Sequence, residues 1–73
     1  MVSEATADRF INMVSTTADL LEVETKLAMI THYRDKLSKE LQEVGGLDLS
    51  AEARARFKEV QHRCKRLLSS HAA

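Results

Sequence analysis

Hydrophobic residues recur in steps of three and four along the middle of the chain, between residues 20 and 44. They fill two positions of a seven-residue repeat, in which Arg34 is the one interruption: Leu20, Leu27 and Leu41 at the first position, and Val23, Ile30, Leu37 and Val44 at the second. Such steps place side chains on one side of an α-helix. The pattern predicts a helical seam that packs like a coiled coil.

The same steps recur after a short interruption. The second apolar run consists of Phe57, Val60, Cys64 and Leu67. Between the two runs lies the pair Gly45 and Gly46, and a glycine just past a helix end can adopt the left-handed conformation without a Cβ penalty. Asp48 or Ser50 can then cap the following helix. This segment is typical of a turn between two helices.

Together the two runs predict an all-α antiparallel helical hairpin that forms a single domain over residues 1–73. The long helix is expected at about residues 4–44 and the shorter helix at about residues 50–69. Residues 71–73 are expected to fray. The absence of proline and the abundance of alanine, leucine, glutamate, lysine and arginine favour this all-helical fold.

The weakest point of the long helix is the segment 15–17, where Thr16 and Asp19 resemble a capping box. No glycine or proline forces a break there, which favours a continuous or kinked helix that begins after the N-cap Ser3. The alternative is a three-helix bundle in which residues 4–14 fold back as a separate helix.

A continuous long helix would extend far beyond the shorter one and leave a second apolar stripe without a partner. The stripe lies about a third of a turn from the seam and consists of Phe10, Ile11, Val14, Ala18 and Leu21. Exposed apolar surface costs about 25 cal/mol per Å². We therefore predict that this stripe is the partner-binding surface, and that Val14→Asp or Leu21→Asp disrupts association while leaving much of the helix in place.

Size and charge also favour association. The core of a 73-residue chain contributes only about 3–5 kcal/mol to the free energy of unfolding. A single cysteine excludes an internal disulfide. The net charge is zero, but residues 1–24 carry −4 and residues 50–73 carry +4. These segments suit the helix dipoles, and they could attract each other between two antiparallel copies.

The residues that could carry chemistry do not form a site. Cys64 lies on the core face of its helix, where burial makes a thiol inert, and the three histidines lack further metal ligands at helical spacing. We predict no catalytic residues, no cofactor, no metal and no small-molecule substrate, and hence no enzyme. No apolar run reaches the roughly 20 residues needed to cross a bilayer, and no secretory signal is recognised, so a cytoplasmic location is expected.

The basic residues between Arg54 and Arg66 suggest an alternative function, a nucleic-acid-binding module that uses this face of the second helix. The neutral charge of the whole chain and the lack of stacking aromatic residues argue against it. A solvated helix face, or a surface that meets an acidic partner, is the simpler interpretation.

The seam between Leu27 and Leu41, the turn Gly45-Gly46 followed by Asp48, and the segment from Gln61 to Leu68 resemble the small helical-hairpin co-chaperones of type III secretion needle subunits. The resemblance implies a protein that keeps an aggregation-prone needle subunit soluble within a small complex. Our functional prediction is a non-enzymatic helical interaction protein, a small chaperone or adaptor that binds a helical partner or self-associates.

Overall fold

The computed structural model describes residues 1–70, which form three helices: α1 (Glu4–Val23), α2 (Leu27–Gly45) and α3 (Ala51–Ser70). The all-helical class is therefore confirmed for these residues. The two-helix hairpin is wrong, because the segment predicted as one long helix consists of α1 and α2. The expected fraying of residues 71–73 lies outside the described residues.

Serine caps define the start of two of the helices. The Ser3 hydroxyl oxygen accepts a hydrogen bond from the backbone N–H of Thr6 at 3.2 Å, as expected for the N-cap of α1. The Ser50 hydroxyl oxygen accepts one from the N–H of Ala53, also at 3.2 Å. Of the two predicted caps for α3, the structure therefore uses Ser50.

The chain leaves the helical conformation at Glu24, Thr25 and Lys26, and not at residues 15–17. Glu24 (φ −78°, ψ 138°) and Lys26 (φ −80°, ψ 123°) have extended backbones. The Glu24 carboxylate accepts hydrogen bonds from the N–H groups of Thr25 and Lys26, at 3.0 and 3.1 Å. Helix α1 continues through residues 15–17, as the favoured interpretation predicted, and the alternative of a separate helix over residues 4–14 is wrong.

Burial of apolar surface explains why the chain turns where no glycine or proline requires it. Helix α1 packs against both α2 and α3, whereas α2 and α3 approach each other much less. The buried apolar residues come from all three helices and the α2–α3 connection: Ala7, Ile11, Val14, Ala18, Leu21, Leu37, Val44, Leu49, Ala53, Phe57 and Cys64. Most of the stability of a protein helix comes from such packing. Folding at residues 24–26 thus buries the stripe that a straight helix would expose.

Helices α1 and α3 run in the same direction, and hydrogen bonds connect their N-terminal ends. The Ser50 hydroxyl donates to the Glu4 carboxylate at 2.5 Å, and the Val2 N–H donates to the Asp48 carbonyl at 3.0 Å. The described residues form an elongated bundle of 38 × 17 × 16 Å. One end of the bundle contains the N-terminal ends of α1 and α3, and the opposite end contains the α1–α2 connection.

The glycine pair does not use the conformation that was predicted for it. Gly46 is the C-cap of α2 with φ −87° and ψ −6°, and neither glycine has a positive φ. The Gly46 N–H donates to the carbonyls of Gln42 and Glu43, at 3.1 and 3.3 Å, and so continues the helical turn. The prediction of a left-handed glycine at this turn is wrong.

Candidate functional site

The apolar stripe predicted to bind a partner lies in the core of the bundle. Val14, Ala18 and Leu21 have no solvent exposure, Ile11 is buried, and Phe10 is half-buried against the same cluster. The prediction that these five residues form an exposed docking surface is wrong. Its premise was a helix without neighbours, whereas α1 has α2 on one side and α3 on another.

The largest exposed apolar side chains outside the N-terminus lie together in sequence around the α1–α2 connection. Leu20 is 40% exposed, Val23 75% and Leu27 78%. We call these three residues the apolar corner. Leu20 and Val23 are three residues apart near the end of α1 and are therefore neighbours on its surface, and Leu27 is the first residue of α2. The corner is the best candidate for a protein-binding surface.

All three corner residues belong to the heptad seam that the sequence predicted. The seam divides into a buried part, with Leu37 and Val44 in the core, and this exposed part beside the connection. Sequence periodicity identified the residues but assigned them to an internal interface, because it could not show that the helix ends at Val23.

Four ion pairs join α1 to α3. Arg56 contacts Glu4 and Asp8 at 3.0 and 2.6 Å, and Arg63 contacts Asp19 and Glu22. The Arg63 distances are 2.7 and 3.4 Å. Four acidic residues of the N-terminal segment are thus paired with two arginines of α3 within one chain, between parallel helices. The alternative of an antiparallel second copy is not needed to explain them.

These contacts also shift the pKa values of Glu4 and Arg56, which lie near the N-terminal ends of α1 and α3. Hydrogen bonds from Ser50 and Arg56 lower the pKa of Glu4, and the hydrogen bond to Glu4 raises the pKa of Arg56. Both shifts favour the charged forms. The groups are exposed, so this pairing orients the two helices more than it stabilises them.

The remaining basic residues of α3 form an exposed face. Arg54, Lys58 and Lys65 follow one another at helical spacing along α3, and Arg66 lies beside them. None of the four has an ion-pair partner within residues 1–70. This basic face is the part of α3 that α1 does not neutralise.

A shallow cleft of about 310 Å³ lies beside the basic face, where the α2–α3 connection meets α3. Its lining is mainly apolar with two basic side chains at the rim: Gly45, Leu47, Leu49, Arg54, Phe57, Lys58 and Gln61. Leu49, a residue of the connection, is buried, and an Arg54 guanidinium nitrogen donates to the Leu49 carbonyl at 3.4 Å.

The thiol of Cys64 is fully buried, as its position on the core face predicted. Burial raises the pKa of Cys64, the nearby Glu40 carboxylate adds to the increase, and Arg63 opposes it. A thiol in this environment is a poor nucleophile. His32 and His62 are exposed, and no three potential metal ligands come together in the part of the chain that the structure describes.

The sequence interpretation missed Glu40. Its side chain is only 6% exposed, and one carboxylate oxygen is buried without a hydrogen-bond partner in residues 1–70. The residue sits three positions after Leu37 and four before Val44, on the core side of α2. That spacing is the signal that could have identified it.

No protein-family model matches this chain, and no curated protein or solved structure is significantly similar to it. Among residues 1–70, no helix is both long enough and apolar enough to cross a membrane.

Proposed function

We propose that this chain is a non-enzymatic interaction protein, a small adaptor or chaperone subunit that binds a helical partner through the apolar corner. The observation that carries the proposal is the exposure of Leu20, Val23 and Leu27 around a single connection. The proposed partner surface therefore lies around the end of α1, whereas the apolar stripe belongs to the core.

Exposed apolar residues support binding only when they are grouped. A single exposed leucine is ordinary on a soluble protein, whereas a contiguous apolar patch typically marks an interaction site. The corner presents three large aliphatic side chains within eight residues. Charged residues lie next to it in the chain, because Glu22, Glu24 and Lys26 are all located between Leu20 and Leu27. An apolar centre with a polar rim is typical of a protein interface.

The type III secretion identity stays a prediction. It rested on the outline of one long helix, a glycine turn and a shorter helix, whereas α1, α2 and α3 have 20, 19 and 20 residues. The proposal therefore extends to the class of helical interaction protein and includes a needle-subunit co-chaperone as one form of it.

Affinity capture with a charge substitution tests the proposal. We expect the wild-type chain to retain a specific helical protein from extracts of its source cells. Val23→Asp should retain at least about tenfold less of this partner, since a buried unpaired carboxylate at an interface costs more than about 1.4 kcal/mol of binding free energy. Ser38→Asp is the matched control, because it adds the same charge at an exposed position of α2 and should retain the partner.

Equal capture by both variants, when circular dichroism shows both to be folded, would contradict the corner as the binding surface. Capture that is lost by Ser38→Asp alone would place the surface on α2 instead.

The exposed basic face of α3 favours a second candidate function, nucleic-acid binding. Two of its basic neighbours, Arg56 and Arg63, are already paired with carboxylates, so Arg54, Lys58, Lys65 and Arg66 would have to supply the phosphate contacts. If they do, affinity for duplex or single-stranded DNA should fall steeply with salt, since each contact releases counterions. Anisotropy with a labelled oligonucleotide measures this. The absence of binding at low salt excludes this function.

A further inference from the structure

The α1–α2 connection has the properties of a hinge. It consists of three residues, and hydrogen bonds from its own N–H groups to the Glu24 carboxylate hold its extended conformation. Lys26, the N-cap of α2, makes no side-chain capping hydrogen bond. None of these residues is glycine or proline, so the same segment can also adopt the helical conformation.

The heptad pattern continues without a shift through this connection. Leu20 and Leu27 are seven residues apart, and Val23 and Ile30 repeat that interval at the second position. If residues 24–26 became helical, α1 and α2 would join into one helix over residues 4–45. The corner residues would then form a continuous seam with the residues that α2 buries.

We propose that two copies of this chain exchange α1 about this hinge. In the exchanged dimer, α1 of each copy packs on α2 and α3 of the other, and residues 4–45 form a continuous helix. The proposal rests on the proposed function in one respect, since it assigns a second copy as the occupant of the apolar corner.

The contacts within the bundle make exchange feasible. Every buried contact of α1, including those of Val14, Ala18 and Leu21, can form between chains as it does within one. The ion pairs of Arg56 and Arg63 with α1 would likewise be preserved. The exchange therefore gives up only the bent connection.

The exchanged dimer would also form contacts that the monomer lacks, at its twofold axis. In a twofold dimer made by exchange, the two hinges lie beside the symmetry axis. The corner residues of the two copies would therefore meet there, and side chains that are 75% and 78% exposed in the monomer would be covered. The exposed part of the seam and the position of the hinge thus both indicate that the partner is a second copy of this chain.

Substitution of Leu27 tests the hinge with a matched pair. Leu27 occupies the first position of α2, where proline is well accepted, and the preceding Lys26 has the extended backbone that proline requires. In a continuous helix over residues 4–45, the same proline would be internal and strongly disruptive. Leu27→Ala removes the same side chain without this effect on the backbone.

We expect the wild-type chain, refolded at millimolar concentration, to give a dimer by light scattering behind a sizing column. The isolated dimer should persist after dilution, since exchange requires α1 to be released. Leu27→Ala should retain dimer, and Leu27→Pro should reduce it by about tenfold or more relative to Leu27→Ala. Replacing Glu24, Thr25 and Lys26 together by alanine should increase the dimer, because it removes the bonds that hold the bend and raises helix propensity.

Dimer formation by Leu27→Pro at the level of Leu27→Ala would overturn the proposal, and so would a wild-type chain and a triple-alanine variant that both remain monomeric. A dimer that re-equilibrates immediately on dilution would also overturn it, since that indicates surface contact without exchange. Binding of a different protein through the corner depends on the Leu27 side chain and not on the hinge, so Leu27→Ala and Leu27→Pro should weaken it equally. The proposed function can therefore fail or succeed independently of exchange.

Discussion

Val14→Asp is expected to unfold the bundle. Val14 has no solvent exposure and lies on the side of α1 that faces the core. A carboxylate at this position would be buried without a partner, at a cost of several kcal/mol. A domain of this size is stabilised by only about 3–5 kcal/mol, so the expected loss equals or exceeds the whole stability. Far-ultraviolet circular dichroism should show little helix, with no cooperative thermal transition.

The matched control is Val23→Asp, the same chemical change nine residues further along the same helix. Val23 is 75% exposed, so this variant should keep its helix content and melt cooperatively. Leu37→Asp and Phe57→Asp should behave like Val14→Asp, because both positions are buried. A folded Val14→Asp variant beside an unfolded Val23→Asp variant would show that the assignment of the two faces of α1 is wrong.

The sequence was sufficient for those features of the fold that depend on neighbouring residues. Ser3 was identified as a cap because a hydroxyl before a helical segment can accept from the first free N–H groups. The core positions Leu37 and Phe57 were recognised from helical spacing. These signals are local, and the structure uses them as predicted.

The turn at residues 24–26 could not be predicted in the same way. The heptad pattern passes through it, and the composition there is compatible with helix. The turn forms because it lets α1 bury its stripe against the rest of the chain, an energy that belongs to the tertiary structure and not to the three residues themselves. The sequence pattern identifies the stripe, but it does not show that α2 and α3 of the same chain cover it.

The candidate site shows the same division between local and tertiary information. The residues of the apolar corner were identified as apolar seam positions, yet their exposure depends on where α1 ends. The opposite charges of the terminal segments were also evident. Whether Arg56 and Arg63 meet carboxylates of the same chain or of another depends on the direction of α3 relative to α1, which periodicity does not encode.

Glu40→Leu is expected to stabilise the protein by about 1–3 kcal/mol, because it replaces a buried and incompletely bonded carboxylate by an apolar side chain of similar size. Glu40 is 6% exposed, and one of its oxygens has no hydrogen-bond partner in residues 1–70. Its surroundings are those of the core, since the other buried residues of α2, Leu37 and Val44, lie on the same side of the helix.

Urea denaturation followed by circular dichroism measures the gain, and the melting temperature should rise by about 4–8 °C for each kcal/mol. Glu43→Leu is the control for an added leucine on the same helix, because Glu43 is exposed and its replacement should change stability little. Glu40→Gln should fall between wild type and Glu40→Leu, since it removes the charge but keeps an amide that needs partners. A loss of stability in Glu40→Leu would contradict this prediction. It would mean that the buried carboxylate makes stabilising interactions on the core side of α2 that an apolar side chain cannot replace.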